Sequence, residues 1–306
     1  MTTLVFGHKS PDTDSTGSPI IWAWYLNEVL GTPAKPVLLG EPNTEAAFVV
    51  EKWNLDKPEI IDAVAADTPV VIVDTNNPAE LPDAINDADI TAIIDHHKLV
   101  GGLETKGPID ITIRPLACTA TIMHDLMGAD ADKMPDNIKG AMLSCILSDT
   151  LEFRSPTTTD HDKALAEKLA AELNLDLNAY ASEMFEAKSD ISAFSDAELI
   201  RMDSKEYAVD GTKFRVSVLE TTAPKLVLDR KASIMASYAD VAKEDGVDDV
   251  LLFVVDILNE EATMFIPNDL VKGVAEKSFG ATVEGDSVVL PGVMSRKKQI
   301  IPNLKV

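Results

Sequence analysis

The chain has 306 residues, enough for one large α/β unit or two ordinary domains, and 45% of them are hydrophobic, so a sizeable core is available. Its 27 basic against 51 acidic residues leave a formal charge of -24, which argues against nonspecific attraction to nucleic acid or to an anionic membrane. Two cysteines, Cys118 and Cys145, are too few for a disulfide framework and read as buried free thiols. With short apolar runs and no basic-then-apolar leader, the expectation is a cytoplasmic protein without a spanning helix.

Strand and helix signals alternate through the first half. A strand is predicted over 3–6, a helix over 18–30 closed by Gly31, a strand over 36–39, and a helix from an Asn43 cap through Trp53. Pro58 reads as the start of a short helix over 58–66. Strands follow over 69–73 and 90–94, with a small helix near 80–85 between them, and then a strand over 109–113. Helices are predicted over 118–127, 136–147, 160–172 and 177–188. The unbroken run Val70-Val71-Ile72-Val73 suits a parallel strand covered on both faces. The pattern predicts an α/β fold whose N-terminal domain, 1–188, holds a doubly wound, mostly parallel sheet, with ligands beyond the carboxyl ends of the strands.

Residues 189–195 have few large apolar side chains and read as a hinge. Residues 196–306 read as a smaller α/β domain. Its strands are predicted over 205–209 and 213–219, turned by Asp210-Gly211, then over 250–257 and 263–266. A long helix is predicted over 231–243 and another over 268–279, with final strand material at 288–290 and 299–302.

Acids and imidazoles collect where the apolar runs end. Leu4-Val5-Phe6 leads to His8, Asp12 and Asp14, and Val73 is followed by Asp74. Ile93-Ile94 leads to Asp95-His96-His97, Ile146-Leu147 leads to Asp149, and Asp256 repeats the posture late in the chain. His8, Asp12 and Asp14 do not share a helical face, so a loop curling around an ion is expected, with a helix starting after it. Asp74, with two oxygens, is the choice for a bridge between two ions. His96 and His97, if extended, point in opposite directions, so one can ligate while the other faces substrate or holds a proton. Asp95 is placed to orient a histidine.

Mixed imidazole and carboxylate donors suit Mn²⁺, Co²⁺, Fe²⁺ or Zn²⁺ rather than Ca²⁺, and a thiolate zinc site lacks the cysteines. Two such ions about 4 Å apart would deprotonate a shared water and clamp phosphoryl oxygens, which points to hydrolysis of a phosphate compound. His124 and His161 read as structural or solvent-facing. Arg296-Lys297-Lys298 is the densest basic run of an acidic chain and suits phosphate oxygens. On a strand, Arg296 and Lys297 would face opposite sides, so a bend is needed for them to act together.

Several segments together carry a family resemblance: Asp95-His96-His97, His8-x₃-Asp12-x-Asp14, Leu147-Ser148-Asp149-Thr150, Asp203-Ser204-Lys205-Glu206 and Ser295-Arg296-Lys297-Lys298-Gln299. In this order and spacing the set resembles the DHH phosphoesterase superfamily and, within it, the manganese-dependent family II inorganic pyrophosphatases, over essentially the whole chain. The resemblance implies a DHH domain followed by a smaller domain that closes over pyrophosphate. It implies His8, Asp12 and Asp74 around one metal, and Asp14, Asp74, His96 and Asp149 around the other. Mn²⁺ or Co²⁺ is implied at both sites, with further Mg²⁺ arriving with pyrophosphate. His97 is implied against the substrate, Lys205, Arg296 and Lys297 on its phosphates, and a homodimer through the N-terminal domains. The stretch 98–149 is too short for the regulatory nucleotide-binding insert of some relatives.

The expected reaction is attack by a metal-activated bridging hydroxide in line with phosphorus. Lys205, Arg296 and Lys297 then stabilise the oxygens, His97 or a metal-bound water protonates the leaving phosphate, and closure about 189–195 excludes bulk water. The alternative is another DHH phosphoesterase acting on short polyphosphate, oligonucleotides or a cyclic dinucleotide. Against a nucleotide substrate stand the scattered Gly273, Gly280, Gly285 and Gly292 and the lack of any histidine after His161. A metal-dependent binding or sensor module without turnover is a third reading.

Overall fold

Six parallel strands form the first sheet: β1 (Thr3–Phe6), β2 (Ala34–Leu38), β3 (Glu59–Ile60), β4 (Pro69–Val73), β5 (Asp89–Asp95) and β6 (Asp110–Ile113). Their order is β3-β2-β1-β4-β5-β6. The winding reverses between β1 and β4, which opens a crevice at the carboxyl ends of those two strands. Helices α1 (Thr13–Trp24), α2 (Thr44–Lys52), α3 (Thr119–Met127), α4 (Asp136–Thr150), α5 (Asp160–Glu172) and α6 (Leu177–Lys188) complete this part of the chain. The computed structural model describes residues 1–306, which divide into two units, Met1–Lys188 and Ser189–Val306. No helix is long and apolar enough to cross a membrane.

Burial on both faces explains the unbroken β-branched runs. Phe6, Val37, Val70, Ile72, Ile90 and Ile93 pack with Leu81 and Ile85 in one buried cluster, while Val5, Val71 and Val73 are buried in alternation with them. Helix α4 is buried along nearly its whole length, from Ile138 to Thr150, so it lies inside the first unit rather than on its surface. Two glycines let its neighbours come close. A Cβ on Gly17 of α1 would stand 2.4 Å from Sγ of Cys145, and one on Gly140 would stand 2.0 Å from the Trp53 ring. Trp53 is itself pinned, donating through Nε1 to the Tyr180 hydroxyl at 2.7 Å.

Three local expectations fail in this unit. Helix α1 begins at Thr13 rather than 18, because Asp12 caps it by accepting from the Ser15 amide at 2.9 Å. The segment 58–66 is not helical: Glu59 and Ile60 pair with Val37 and Leu38 as an edge strand, so pairing with β2 outweighs the proline start signal. The region 80–85 holds only separate 3₁₀ turns, Pro78–Glu80 and Ile85–Asp87.

The second unit has a mixed sheet of β7 (Ser204–Val209), β8 (Thr212–Thr221), β9 (Asp249–Asp256), β10 (Glu261–Phe265) and β11 (Ser287–Pro291), ordered β11-β10-β9-β8-β7. Only β8 and β9 are parallel. Strand β9, Asp-Val-Leu-Leu-Phe-Val-Val-Asp, is buried throughout and is the centre of this core. The helices are α7 (Asp196–Met202), α8 (Pro224–Leu228), α9 (Lys231–Ala236), α10 (Tyr238–Asp245) and α11 (Asp269–Phe279). Ser195 and Glu198 form a capping box that starts α7.

The helix expected over 231–243 is thus two helices, broken at Ser237. The stretch 299–302 is helical, not a strand. Ser295 caps a wide turn over Arg296–Ile300, and Oε1 of Gln299 accepts from the Met294 and Ser295 amides at 2.9 Å each. Ile300 is buried in the core of the second unit.

Asp245 at the end of α10 joins three elements, accepting from Arg201 of α7 and Arg215 of β8. Burial alone would lift its carboxyl, but these arginines prevail and hold it below the ordinary 3.8. Asp245→Asn should therefore destabilise the protein by about 1–2 kcal/mol at neutral pH, read from denaturant melts. Because the folded value is depressed, the contribution is present above pH 3.8 and lost as pH falls through the folded value, so the two proteins should converge in acid. A gap that stays constant down the acid limb would contradict this. Gly17→Val should cost roughly 2–3 kcal/mol by forcing α1 away from α4, and an unchanged melting temperature would show that the crossing is looser than described.

Candidate metal centre

The crevice between β1 and β4 gathers its residues from four places. His8 lies two residues past β1, Asp12 caps α1, and Asp14 sits in the first turn of that helix. Asp74 directly follows β4, at a φ of 59°, a left-handed conformation that a non-glycine residue adopts at some cost. His96 and His97 follow β5, whose last residue is Asp95. Asp149 belongs to the last turn of α4, so it is not at a strand end.

Asp74 is almost wholly buried, at 1% exposure, and its two oxygens face different partners. Oδ2 lies 3.5 Å from Nε2 of His8, which is 3.7 Å from Oδ2 of Asp12. Oδ1 lies 3.4 Å from Nε2 of His96 and accepts from the Thr119 hydroxyl at 3.2 Å. Three donor sets have ligand atoms within 4.8 Å of one another: His8, Asp12 and Asp74; Asp14, His96 and Asp149; and Asp74, His96 and His97.

The surrounding hydrogen bonds fix these side chains. Asp14 accepts from Ser18 Oγ and from the Thr119 amide, both at 2.7 Å. Nδ1 of His96 lies 3.3 Å from the Leu116 carbonyl, so it donates there and leaves the Nε2 lone pair toward Asp74. His97 places Nδ1 2.9 Å from Asp95 Oδ1, and Asp95 also accepts from the His97 amide and from Asn76. Asp95 thus orients His97. Contrary to the extended-chain expectation, the two imidazoles do not face opposite ways. β5 has ended, and their rings lie 4.2 Å apart on one side of Asp74.

The electrostatics are those of a site short of positive charge. Burial pushes the carboxyls of Asp74 and Asp149 well up, and the charges of Asp14 and Asp12 push them further. Oδ2 of Asp149 is buried without a hydrogen-bond partner, a costly condition that a cation relieves. For His8, burial opposes protonation but the hydrogen bond and charge of Asp12 outweigh it and raise its pKa. Asp12, also opposed by burial, is held low by His8 and the Ser15 amide. Converging carboxylates and imidazole nitrogens fit divalent cations, which supply positive charge beyond what His8 and the nearby Lys188 lend to Asp12.

Other residues singled out in the sequence are placed differently. Asp256 ends β9 and accepts from the Leu258 and Asn259 amides, which is turn chemistry in the second unit. His161 pairs with Asp125 at 2.8 Å on the surface. Cys118 and Cys145 are buried free thiols, and burial raises both. Lys205 is exposed on β7, an edge strand. Arg296 donates to both the side chain and the carbonyl of Asp203 at 2.8 Å, so it sits against the segment that bears Lys205. Arg296–Ile300 forms a wide helical turn, so the alternation of a strand does not apply to Arg296 and Lys297.

Sequence reasoning missed Thr119, Asn76 and Glu45, and the left-handed run Leu151, Glu152 and Phe153 that closes α4. Asn76 carried a usable signal, an amide two residues past Asp74. Thr119 and Glu45 depend on contacts between distant segments.

Comparison with known proteins agrees with this architecture. Residues 2–148 match the family model of the DHH family N-terminal domain, and residues 182–306 that of the DHHA2 domain. A Deinococcus radiodurans protein named "Probable manganese-dependent inorganic pyrophosphatase" is 39% identical over 307 aligned positions, covering 98% of this chain and 97% of its own. A Bacillus licheniformis protein of the same name is 36% identical, with the same coverage. The crystal structure of a Methanococcus jannaschii "putative family II inorganic pyrophosphatase" is 34% identical with a TM-score of 0.61, covering 99% of this chain and 98% of that one. An exopolyphosphatase-related protein of Bacteroides fragilis, 12% identical with a TM-score of 0.51, shares the fold alone. Similarity of this depth across both units makes the chain a hydrolase belonging to the manganese-dependent, family II inorganic pyrophosphatases of the DHH superfamily.

Proposed function

We propose that this protein hydrolyses inorganic pyrophosphate to two phosphates, using Mn²⁺ or Co²⁺ at two adjacent sites and further Mg²⁺ that arrives with the substrate. The observation that carries the reading is the division of Asp74, with one oxygen toward His8 and Asp12 and the other toward His96. His8, Asp12 and Asp74 would hold one ion, and Asp14, Asp74, His96 and Asp149 the other. Bound there, divalent ions lower the pKa of a shared water and draw charge from phosphoryl oxygens.

The remaining work falls to side chains. His97 donates through Nδ1 to Asp95, and that bond raises its pKa despite partial burial, which suits it to deliver a proton to the leaving phosphate. Its Nδ1 is committed to Asp95, which leaves Nε2 to face the substrate. In the second unit Arg296, braced by Asp203, offers a planar fork to phosphate oxygens, while Lys205 and Lys297 add mobile positive charge.

Metal-free protein titrated with Mn²⁺ should release phosphate from pyrophosphate, and much less from tripolyphosphate or a dinucleotide. Background release with Mn²⁺, Co²⁺ and Mg²⁺ all present would end the reading. Asp74→Asn should weaken Mn²⁺ binding by about 100-fold at both sites in calorimetry, and loss at one site alone would refute the bridge. Lys205→Met should bind Mn²⁺ normally yet lose roughly 10²–10³ in kcat/KM, and an unchanged kcat/KM would remove Lys205 from the phosphate site.

A further inference from the structure

Glu45 has no part in the scheme above, yet it is wholly buried, at 0% exposure, in the first turn of α2. An acid at a helix start usually serves the helix dipole from the solvent side. This one is turned inward, and a single oxygen, Oε2, receives three donors. The Thr13 hydroxyl lies at 2.8 Å, the Ser148 hydroxyl at 2.6 Å and the Lys188 ammonium at 3.4 Å. Its other oxygen, Oε1, is buried without a partner.

The identity of the donors gives the arrangement its meaning. Thr13 stands between Asp12 and Asp14, and Ser148 immediately precedes Asp149. These residues begin α1 and end α4. A hydroxyl held on each segment fixes the rotation of the turn that carries the neighbouring carboxylates. Lys188 supplies the countercharge, and no other lysine or arginine pairs with Glu45.

We infer that Glu45 is a positioning residue for the metal centre: through Thr13 and Ser148 it sets Asp12, Asp14 and Asp149 in register before any ion arrives. This rests on the metal reading of the site. Conservative replacement separates its parts, since glutamine retains a carbonyl oxygen for both hydroxyls while alanine retains nothing.

The test is Mn²⁺ titration of metal-free wild type, Glu45→Ala, Glu45→Gln and Ser148→Ala by calorimetry. Melting of the metal-free proteins and the electron paramagnetic resonance spectrum at two equivalents of Mn²⁺ accompany it. Glu45→Ala should weaken Mn²⁺ binding about tenfold or more and turn a coupled-pair spectrum into one of isolated ions. Glu45→Gln should recover most of that loss, and Ser148→Ala should fall between them. A folded Glu45→Ala that binds Mn²⁺ like wild type overturns the inference, and so does a glutamine variant no better than alanine. If Glu45→Ala does not fold, Ser148→Ala decides: several-fold weaker binding supports the inference and wild-type affinity overturns it. A wild type that binds no Mn²⁺ instead defeats the metal reading and this inference with it.

Discussion

Repulsion among carboxylates is the constraint around which the first unit is built. Asp14 and Asp74 are each 1% exposed, and Asp149, half-buried beside them, keeps one carboxylate oxygen out of solvent. Charges this close and this far from water cannot all be carried unless something positive enters. No lysine or arginine forms an ion pair with them; the fold places imidazoles there, whose nitrogens can ligate an ion. Such a set is poorly satisfied alone and well satisfied around divalent cations.

The architecture explains how acids from distant segments meet. In a parallel sheet of order β3-β2-β1-β4-β5-β6, neighbouring β1 and β4 send their connections in opposite directions, and their carboxyl ends meet at an open crevice. β1 delivers His8 and the start of α1, β4 delivers Asp74, and β5 delivers Asp95 and the two histidines. Asp149 arrives on a buried helix, whose approach to α1 depends on the missing side chain of Gly17. Packing density and ligand placement are therefore one problem here.

How far the sequence discloses this follows from the range of the interactions. Strands β1, β4 and β5 are legible because burial on both faces imposes long apolar runs, and the acids that end them stand out. Helix α1 is misread at its start because Asp12, taken for a loop residue, is also its cap. Glu59 and Ile60 become a strand only because β2 lies beside them, and the basic segment near the chain end is helical, with Ile300 in a core assembled from elsewhere. The pairing of Asp95 with His97, rather than His96, turns on a bend that alternation along a strand cannot foresee. Glu45 was visible only as an acid in a helical first turn, since its burial is decided by α1, α4 and α6 together.

The backbone at Asp74 has a wider consequence. Its φ of 59° is one that glycine would accept without penalty, but glycine has no carboxylate to offer. Leu151, Glu152 and Phe153, just beyond Asp149, repeat the tension with three successive left-handed residues. At Asp74 a designer seeking a hardier protein would find relief in glycine, and would give up the carboxylate to get it. Ease of the backbone and supply of a ligand are set against each other in one residue.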